Sequence, residues 1–310
     1  MQGRRVITWI ATAAGLYLLF AAFLFAMQRQ MLYLPSGERP DPAASGVPGL
    51  AAVTLDTADG LQLTHWYRPA MAPDGPLVAV LHGNAGHIGH RVGKYGALLQ
   101  AGFGLFLIEY RGYGGNPGSP NETGLTEDAR SALAWLMAQG VRPDRIVLYG
   151  ESLGTAPAVR MAAAQARGHL GAAQARGHLE PAQAREHLES AQVRGDLGSP
   201  PVPFAGLILE APFTSLAAVA QHHYWYVPAR WLLRDRWDVT DDIGAIATPL
   251  LVIHGERDRT VPVRFGKRLY DLASEPKESL FLPDGDHNGL TDNPVVMQRI
   301  ADFVRRIDRR

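Results

Sequence analysis

The chain has 310 residues, enough for one large domain or two ordinary ones, and its apolar fraction of 46% allows a sizeable core. Its 30 basic and 30 acidic residues balance, which argues against a nucleic-acid partner held by a general basic field. The absence of cysteine excludes disulfides, thiolate metal sites and a cysteine nucleophile.

The first predicted element is an apolar helix that crosses a membrane. Residues 6–27 form a run of 22 residues without a charge. At about 1.5 Å per residue, such a helix spans a hydrocarbon core of ~30 Å. A cleaved signal peptide is the alternative, but this apolar run is long for one and no good Ala-x-Ala site precedes Gln28. We therefore predict an uncleaved signal anchor over residues 1–30.

Positive charges on the two sides of this helix differ only slightly. Arg4, Arg5 and the terminal amine precede it, and Arg29 and Arg39 follow it. By the positive-inside rule, this small bias favours a cytoplasmic N-terminus. The expected location is the cell inner membrane, with a single span and the main domain on the periplasmic side.

A linker over residues 31–50 is predicted to precede an α/β domain over residues 51–310. A hairpin turn ending at Gly60 joins the first two strands, after which apolar runs alternate with helical patterns. Such runs separated by helices indicate a mostly parallel sheet covered on both faces. The predicted strands are residues 52–56, 61–67, 77–81, 105–110, 146–149, 207–209, 250–253 and 279–282.

Two helices are predicted from residues typical of helix ends. Thr126 is expected to cap one helix, which Gly140 ends, and Asn293 with Pro294 starts the C-terminal helix. The C-terminal helix carries an apolar stripe expected to be buried. That stripe consists of Val296, Ile300, Phe303, Val304 and Ile307.

Residues 163–198 depart from this alternation because they are four copies of a nine-residue unit. Nine residues at about 100° each leave successive copies on opposite faces of a helix. The recurring His169, His178 and His187 would therefore not converge on one face to bind a metal. We predict an insertion that lengthens the connection after the preceding helix and has no catalytic part.

One predicted strand-to-helix turn carries a reactive serine motif. The strand at residues 146–149 runs into GESLG at residues 150–154, and an Ala-rich helical pattern follows. Gly150 and Gly154 are needed because a side chain at either place would collide with a neighbouring strand or helix. The turn exposes Ser152 above a helix N-terminus that favours a developing anion. Gly-x-Ser-x-Gly in this context predicts a nucleophile.

A serine hydroxyl needs a base and an orienting acid near neutral pH, and two later strand ends supply them. Asp258 follows the strand at residues 250–253, and His287 follows the strand at residues 279–282. His287 would take the proton from Ser152, and Asp258 would fix the imidazole tautomer. The chain order of serine, aspartate and histidine is that of an α/β-hydrolase triad.

Other side chains compete for these roles. Glu210 ends a neighbouring strand and is an alternative acid, although the Ala-Pro that follows it favours a loop-bracing role. Asp284 and Asp286 flank His287, but residues so close in sequence usually point away. His254 lies inside its strand run, and we expect a packed, hydrogen-bonded histidine there.

The loop HGNAG at residues 82–86 is predicted to supply one oxyanion donor. We expect the backbone N–H of Asn84, with Ala85 as the close alternative, to act together with that of Leu153. His87 and His90 have a spacing that could bind a metal on a helix, but no carboxylate lies nearby in sequence. No metal site is predicted.

These motifs together resemble the α/β-hydrolase superfamily, and in particular its membrane-anchored serine hydrolases. The resemblance extends from residue 77 to the C-terminus and includes four further motifs. These are EYRGYGG at 109–115, EAPFTS at 210–215, HGERD at 254–258 and GDHN at 285–288. It implies an α/β-hydrolase fold with an eight-stranded, mostly parallel sheet, ester or related acyl hydrolysis, and no cofactor. The nine-residue repeat departs from the family pattern.

Residues 211–247 are expected to form a small cap above the sheet. Its aromatic residues could line an acyl pocket or rest on the membrane, and we assign Tyr224, Trp225 and Trp231 to substrate binding. Together with the anchor, this apolar cap favours lipid-like esters or medium acyl chains.

Two other functions remain open from the sequence. The first is an aminopeptidase or amidase of the same fold, whose acidic group for a substrate amine would be Glu109, Asp241 or Asp242. The second is a non-catalytic, membrane-tethered binding protein with a hydrolase fold. A small-molecule acyl ester and the membrane are the expected partners, and oligomeric state cannot be predicted from these patterns.

Overall fold

A computed structural model of the chain describes residues 2–170, 177–179 and 201–308. The repeat insertion predicted at residues 163–198 falls largely outside these ranges, and His187 lies outside them. The helices are α1 (Gln2–Leu32), α2 (Gly96–Gln100), α3 (Glu122–Ala138), α4 (Thr155–Ala166), α5 (Leu216–His223), α6 (Ala229–Leu232), α7 (Thr240–Ile243), α8 (Val263–Leu272) and α9 (Pro294–Asp308). The strands are β1 (Leu34–Pro35), β2 (Ala51–Asp56), β3 (Gln62–Arg68), β4 (Leu77–Leu81), β5 (Ala85–Gly86), β6 (Gly104–Ile108), β7 (Ile146–Glu151), β8 (Gly177–Leu179), β9 (Gly206–Glu210), β10 (Leu250–Gly255) and β11 (Lys277–Leu282).

Within the described residues, the central sheet has nine strands in the order β11-β10-β9-β7-β4-β6-β3-β2-β8. The strands from β11 to β6 are parallel, whereas β3, β2 and β8 add antiparallel pairings at one edge. All of the strands predicted from the sequence are present in this sheet. The additional strand is β8, which pairs with the outer edge of β2. An edge strand presents unpaired N–H and C=O groups, so an extended segment of the insertion can pair with it.

Helices cover both faces of the sheet, as the apolar runs predict. Every residue of β4, β6 and β9 is buried, because side chains on both faces of these central strands meet a helix layer. On one face, Trp135 of α3 packs edge-on against Tyr67 and obliquely against Phe106, with ring centroids 5.7 and 5.6 Å apart. On the other face, the predicted stripe of α9 packs on the sheet, with Val296, Ile300 and Val304 fully buried.

The start of α3 differs from the sequence prediction. Asn121 caps this helix, and its side-chain oxygen accepts a hydrogen bond of 2.9 Å from the N–H of Gly124. The prediction that Thr126 is the cap is therefore wrong. The Thr126 hydroxyl donates to the carbonyl of Glu122 one turn earlier, a bond that a threonine inside a helix can make. Gly140 follows the helix end with a φ of +90°, as expected for a helix stop.

Helix α1 is the one helix of the described residues that is long and apolar enough to cross a membrane, judged by length and composition. It continues to Leu32, two residues beyond the predicted anchor. The predicted linker then contains β1, which pairs in parallel with β5, and a short 3-10 helix over Pro42–Ser45. The segment after α1 is therefore tied directly to the loop that follows β4.

Candidate active site

The turn after β7 holds Ser152 in a backbone conformation that few residues adopt. Its φ is +49°, in the left-handed region, and the short 3-10 turn Ser152–Gly154 then leads into α4. A Cβ on Gly150 would lie 2.6 Å from the Cα of Thr155, and one on Gly154 would overlap the carbonyl of Leu81. Both glycines are therefore required by close packing, which is the reason predicted from the motif.

The three side chains predicted to act together form one hydrogen-bonded chain. The Oγ of Ser152 lies 3.0 Å from Nε2 of His287, and Nδ1 of His287 lies 2.7 Å from Oδ2 of Asp258. Since an ionised carboxylate only accepts, the proton between His287 and Asp258 belongs to Nδ1. Nε2 is then left free to accept the serine proton. This arrangement can activate a hydroxyl for attack on an acyl carbon.

Asp258 is buried, yet its environment favours the ionised form. One carboxylate oxygen accepts the backbone N–H groups of Thr260 and Val261 at 2.8 and 2.7 Å. Burial alone would raise the pKa of Asp258, but hydrogen bonds from His254 and His287 outweigh it and hold this pKa well below its usual range. Asp258 therefore remains negatively charged opposite His287.

His254 is a partner of Asp258 that sequence reasoning missed. It was expected to be packed and hydrogen-bonded, and it is fully buried with Nε2 2.8 Å from the carbonyl of Val261. The same nitrogen also lies 3.2 Å from Oδ2 of Asp258. The sequence held one signal for this contact. In HGERD, His254 lies in β10 and Asp258 lies four residues later, just beyond the end of that strand.

The two expected oxyanion donors both line the same cavity as Ser152. Asn84 is held by its neighbours, because its side-chain amide donates to the carbonyl of Leu32 at 2.8 Å and its own carbonyl accepts the N–H of Leu34 at 2.9 Å. Leu153 belongs to the first helical turn after β7, where backbone N–H groups have no intrahelical acceptor. Ala85, the alternative donor, pairs with β1 and does not line the cavity.

The competing acids lie in other networks. The carboxylate of Glu210 binds the hydroxyl of Tyr149 and Nζ of Lys94, the latter at 2.6 Å, which is the bracing role expected for it. Asp286 accepts the backbone N–H of His287 at 2.8 Å, so it positions the loop rather than the imidazole ring. Asp284 forms an exposed ion pair with Arg257.

A cavity of about 650 Å³ lies in front of Ser152, and most of its lining is apolar. In the cap, α5, α6 and the segment between them contribute lining residues. The C-terminal end of α1 contributes the others that lie outside the sheet and its loops. The apolar lining residues are Leu24, Phe25, Met31, Leu32, Leu153, Phe213, Leu216, Val219, Ala220, Val227, Ala229, Leu232, Leu233 and Val261.

The predicted substrate-binding aromatics separate into two groups. Tyr224 lines the cavity, but Trp225 and Trp231 do not, and each of these two is 78% exposed. Helix α6 has only four residues, and Ala229 and Leu232 occupy its cavity face. Trp231 is about 200° around the helix from Ala229, so its ring points away from the cavity. Placing Trp225 and Trp231 in the pocket was therefore wrong.

The acids considered for an amine-binding site are not in this cavity. Glu109 is buried and bonds Nε2 of His82 and the N–H of Ile88 at 2.7 and 2.9 Å, while Asp242 pairs with Arg167. Asp241 is exposed and also lies outside the lining. Across the described parts of the chain, the lining contains no Asp or Glu, and its one arginine is Arg259.

Comparison with known proteins identifies the family to which this chain belongs. The model of the alpha/beta hydrolase family matches residues 78–299, from β4 into α9. The chain therefore belongs to the alpha/beta hydrolase family and is a hydrolase of this fold. The expected fold class and the resemblance seen in the sequence are confirmed.

Individual relatives give the same result. An uncharacterized protein of Mycobacterium tuberculosis is 37% identical over 286 residues, covering 91% of this chain and 89% of that protein. Lysophosphatidylserine lipase ABHD12 of Danio rerio is 30% identical over 265 residues, covering 77% of this chain and 61% of the lipase. The Pyrococcus furiosus esterase PF2001 superposes with a TM-score of 0.60 at 16% identity, over 89% of this chain and 98% of the esterase, and shows the fold alone.

Proposed function

We propose that this hydrolase is a membrane-anchored serine esterase that cleaves lipid-like carboxylic esters through an acyl-enzyme intermediate. The observation that carries the proposal is the hydrogen-bonded chain Ser152–His287–Asp258 at the wall of an apolar cavity. A nucleophile, its base and a buried acid in one line are the parts that acyl transfer to water requires.

The proposed reaction proceeds in two halves. Ser152 Oγ attacks the acyl carbon while Nε2 of His287 takes its proton, and the N–H groups of Asn84 and Leu153 stabilise the oxyanion. His287 then gives the proton to the leaving alcohol, and the acyl group remains on Ser152. A water molecule, deprotonated by His287, releases the acid and restores the serine. Asp258 stays ionised throughout and stabilises the imidazolium.

The cavity supports an apolar acyl group as the part of the substrate that is bound. Its volume of about 650 Å³ is within the ~300–1,000 Å³ typical of small-molecule sites. The lipase from Danio rerio that the chain resembles is named for lysophosphatidylserine, a lipid ester. Cleavage of an aminoacyl amide is less well supported, because Glu109, Asp241 and Asp242 lie outside the cavity lining.

For the location we propose a single membrane span through α1, with the catalytic domain on the periplasmic side of the inner membrane. The basis is the apolar length of α1 and the slight excess of positive charge before it. An alkaline phosphatase fusion at the C-terminus should be active, because this reporter works only in the periplasm. An inactive fusion, together with an active cytoplasmic reporter at the same position, would overturn the orientation.

A fluorophosphonate probe tests the proposed chemistry directly. Wild-type protein should be labelled, Ser152→Ala should not, and Ser274→Ala, which changes an exposed serine outside the cavity, should be labelled normally. A panel of acyl esters and aminoacyl amides should then show hydrolysis of the esters. Absence of labelling in the wild type would favour a non-catalytic binding protein, and preferential cleavage of the amides would favour an aminopeptidase.

A further inference from the structure

The C-terminal part of α1 forms one wall of the cavity in front of Ser152. Leu24, Gln28, Met31 and Leu32 all line it, at spacings that put them on one face of the helix. Phe25 extends the same face. An anchor that only tethers a domain does not require contact with the substrate cavity, so this face indicates a second role.

Helix α1 is also longer than a membrane span requires. Its 31 residues extend about 46 Å at ~1.5 Å per residue, compared with a hydrocarbon core of ~30 Å. Side chains at residues 2–20 are exposed, and partial burial begins at Ala21. The exposed part alone is nearly as long as the hydrocarbon core is thick. The remaining part, which we call the docked segment (residues 21–32), packs on the protein.

Polar contacts fix the rotation and depth of the docked segment. Arg29 makes two hydrogen bonds to the carboxylate of Asp235, at 2.8 and 2.9 Å, and Asp235 is only 3% exposed. The Gln28 side-chain oxygen accepts the backbone N–H of Arg234 at 2.6 Å. A buried carboxylate is costly without a cation, so the pair with Arg29 favours the docked position of the helix against the cap.

The same segment is connected to the proposed oxyanion loop. The carbonyl of Leu32 accepts the side-chain amide of Asn84, and the next residue but one, Leu34, donates its N–H to the carbonyl of Asn84. Tyr33, which follows the helix directly, is buried, and its hydroxyl accepts the indole N–H of Trp237 in the cap at 3.1 Å. The helix end is thus positioned between the cap and the loop.

We propose that the docked segment of α1 is a specificity-determining wall of the substrate site, in which Leu24 and Phe25 limit the acyl chain and the Arg29–Asp235 pair holds them in place. This inference rests on the proposed esterase function. It assigns to the membrane helix a role in choosing the substrate, in addition to attachment.

The first test measures acyl-chain preference in the full-length protein in detergent. Phe25→Trp enlarges a wall side chain and should reduce the kcat/KM for a dodecanoyl ester, divided by that for a butyryl ester, by about tenfold or more. Small changes in the size of a hydrophobic pocket change such ratios by about this factor. Leu19→Trp is the matched control, because Leu19 is on the exposed part of the same helix and outside the lining. Its ratio should remain that of the wild type.

A second variant removes the Arg29–Asp235 ion pair without changing a residue of the cavity lining. Arg29→Ala should lower the same ratio several-fold, Arg29→Lys should restore part of it, and Gln30→Ala, an exposed neighbour, should leave it unchanged. A helix that merely tethers the domain predicts equal ratios in all of these variants. That result would overturn the inference.

The outcomes separate this inference from the proposed function. Failure of wild-type labelling by the fluorophosphonate would defeat the esterase proposal itself. Normal labelling and hydrolysis with an unchanged chain-length ratio in both Phe25→Trp and Arg29→Ala would defeat only the wall. If Phe25→Trp does not fold, the ratio in Arg29→Ala decides, with probe labelling as the measure of folded sites.

Discussion

At the residue scale, the backbone of Ser152 is held in the left-handed region by packing on both sides of it. Its φ of +49° costs of the order of 1–3 kcal/mol for a residue other than glycine, which the surrounding contacts must offset. Gly150 and Gly154 make this possible because they let β7, α4 and the end of β4 approach closely. The position of the hydroxyl at the cavity wall is therefore a product of close packing around the turn.

Gly154→Ala should destabilise the folded protein because the new methyl group would overlap the backbone at Leu81. Inserting a methyl group into a tightly packed site costs about 1–3 kcal/mol, and here the neighbouring atoms are backbone that cannot rotate away. Gly93→Ala is the control, since nothing lies within 4 Å of a Cβ at that position. Thermal melting should show a clear drop for Gly154→Ala and none for Gly93→Ala. Equal melting temperatures would contradict the packing account of the elbow.

The depressed pKa of Asp258 predicts a pH-dependent contribution to stability. Because its pKa is lower in the folded state than the unfolded value of about 3.9, the carboxylate stabilises the fold above that pH. This contribution is lost as pH falls through the folded value. The difference in melting temperature between wild type and Asp258→Asn should therefore be largest near neutral pH and should shrink below about pH 4. A difference that stays constant over this range would show that the charge of Asp258 is not involved.

At the element scale, the corrected start of α3 can be tested by comparing two possible caps. Asn121→Ala removes the acceptor for the N–H of Gly124 and should reduce the free energy of unfolding by about 1 kcal/mol. Thr126→Ala lies inside the helix, where alanine is the better helix former, so it should change stability by less than about 0.5 kcal/mol. Denaturant unfolding of the two variants would distinguish the caps, and the reverse order would restore Thr126 as the helix start.

Besides the part that lines the cavity, the cap carries an exposed aromatic surface beside α1. Tyr226 connects the two, since its carbonyl accepts the hydroxyl of Tyr17 at 3.0 Å and its ring stacks on Phe20. Trp225 packs edge-on against Tyr226, with ring centroids 5.7 Å apart. Tryptophan and tyrosine are enriched where a membrane protein meets the headgroup region, so with the proposed span through α1 this patch would lie at the membrane interface.

Trp225 and Trp231 should therefore contact lipid in the membrane-bound protein. Brominated lipids quench tryptophan fluorescence on contact, and the tryptophans with exposed rings are Trp9, Trp225 and Trp231. The Trp225→Phe/Trp231→Phe double variant should lose most of the quenchable signal and keep the share from Trp9. If brominated lipids remove as much fluorescence intensity from the double variant as from the wild type, Trp225 and Trp231 do not contact the bilayer.

At the scale of the whole molecule, the parts readable from the sequence were those with local causes. Buried strands are short apolar runs, so β4, β7 and β10 could be located within one or two residues. The residues of the proposed triad lie at or within five residues of the ends of β7, β10 and β11, and parallel strands bring their carboxyl ends to one edge. The proximity of Ser152, Asp258 and His287 was predictable for this reason, although up to 135 residues separate them.

The parts that could not be read depend on contacts with no local pattern. Arg29 and Asp235 are 206 residues apart, and nothing in an apolar helix indicates that its last turns pack on a cap. Helix α6 has only four residues, so it has no apolar periodicity from which the face occupied by Trp231 could be predicted. The start of α3 was misplaced because Asn121, which was not considered, is like Thr126 a good capping residue followed by an acid.

The continuity of α1 from its exposed part to the docked segment has a mechanical consequence. A membrane helix adjusts its tilt to the thickness of the surrounding bilayer. Because α1 is one unbroken helix, a change of tilt in the proposed membrane span would act as torque on the Arg29–Asp235 pair and on the cavity wall at Leu24 and Phe25. With the proposed span and wall, bilayer thickness and substrate preference would be coupled, and the coupling would be reciprocal. A long-chain acyl ligand that rests on the docked segment would favour the tilt at which the helix is fully seated.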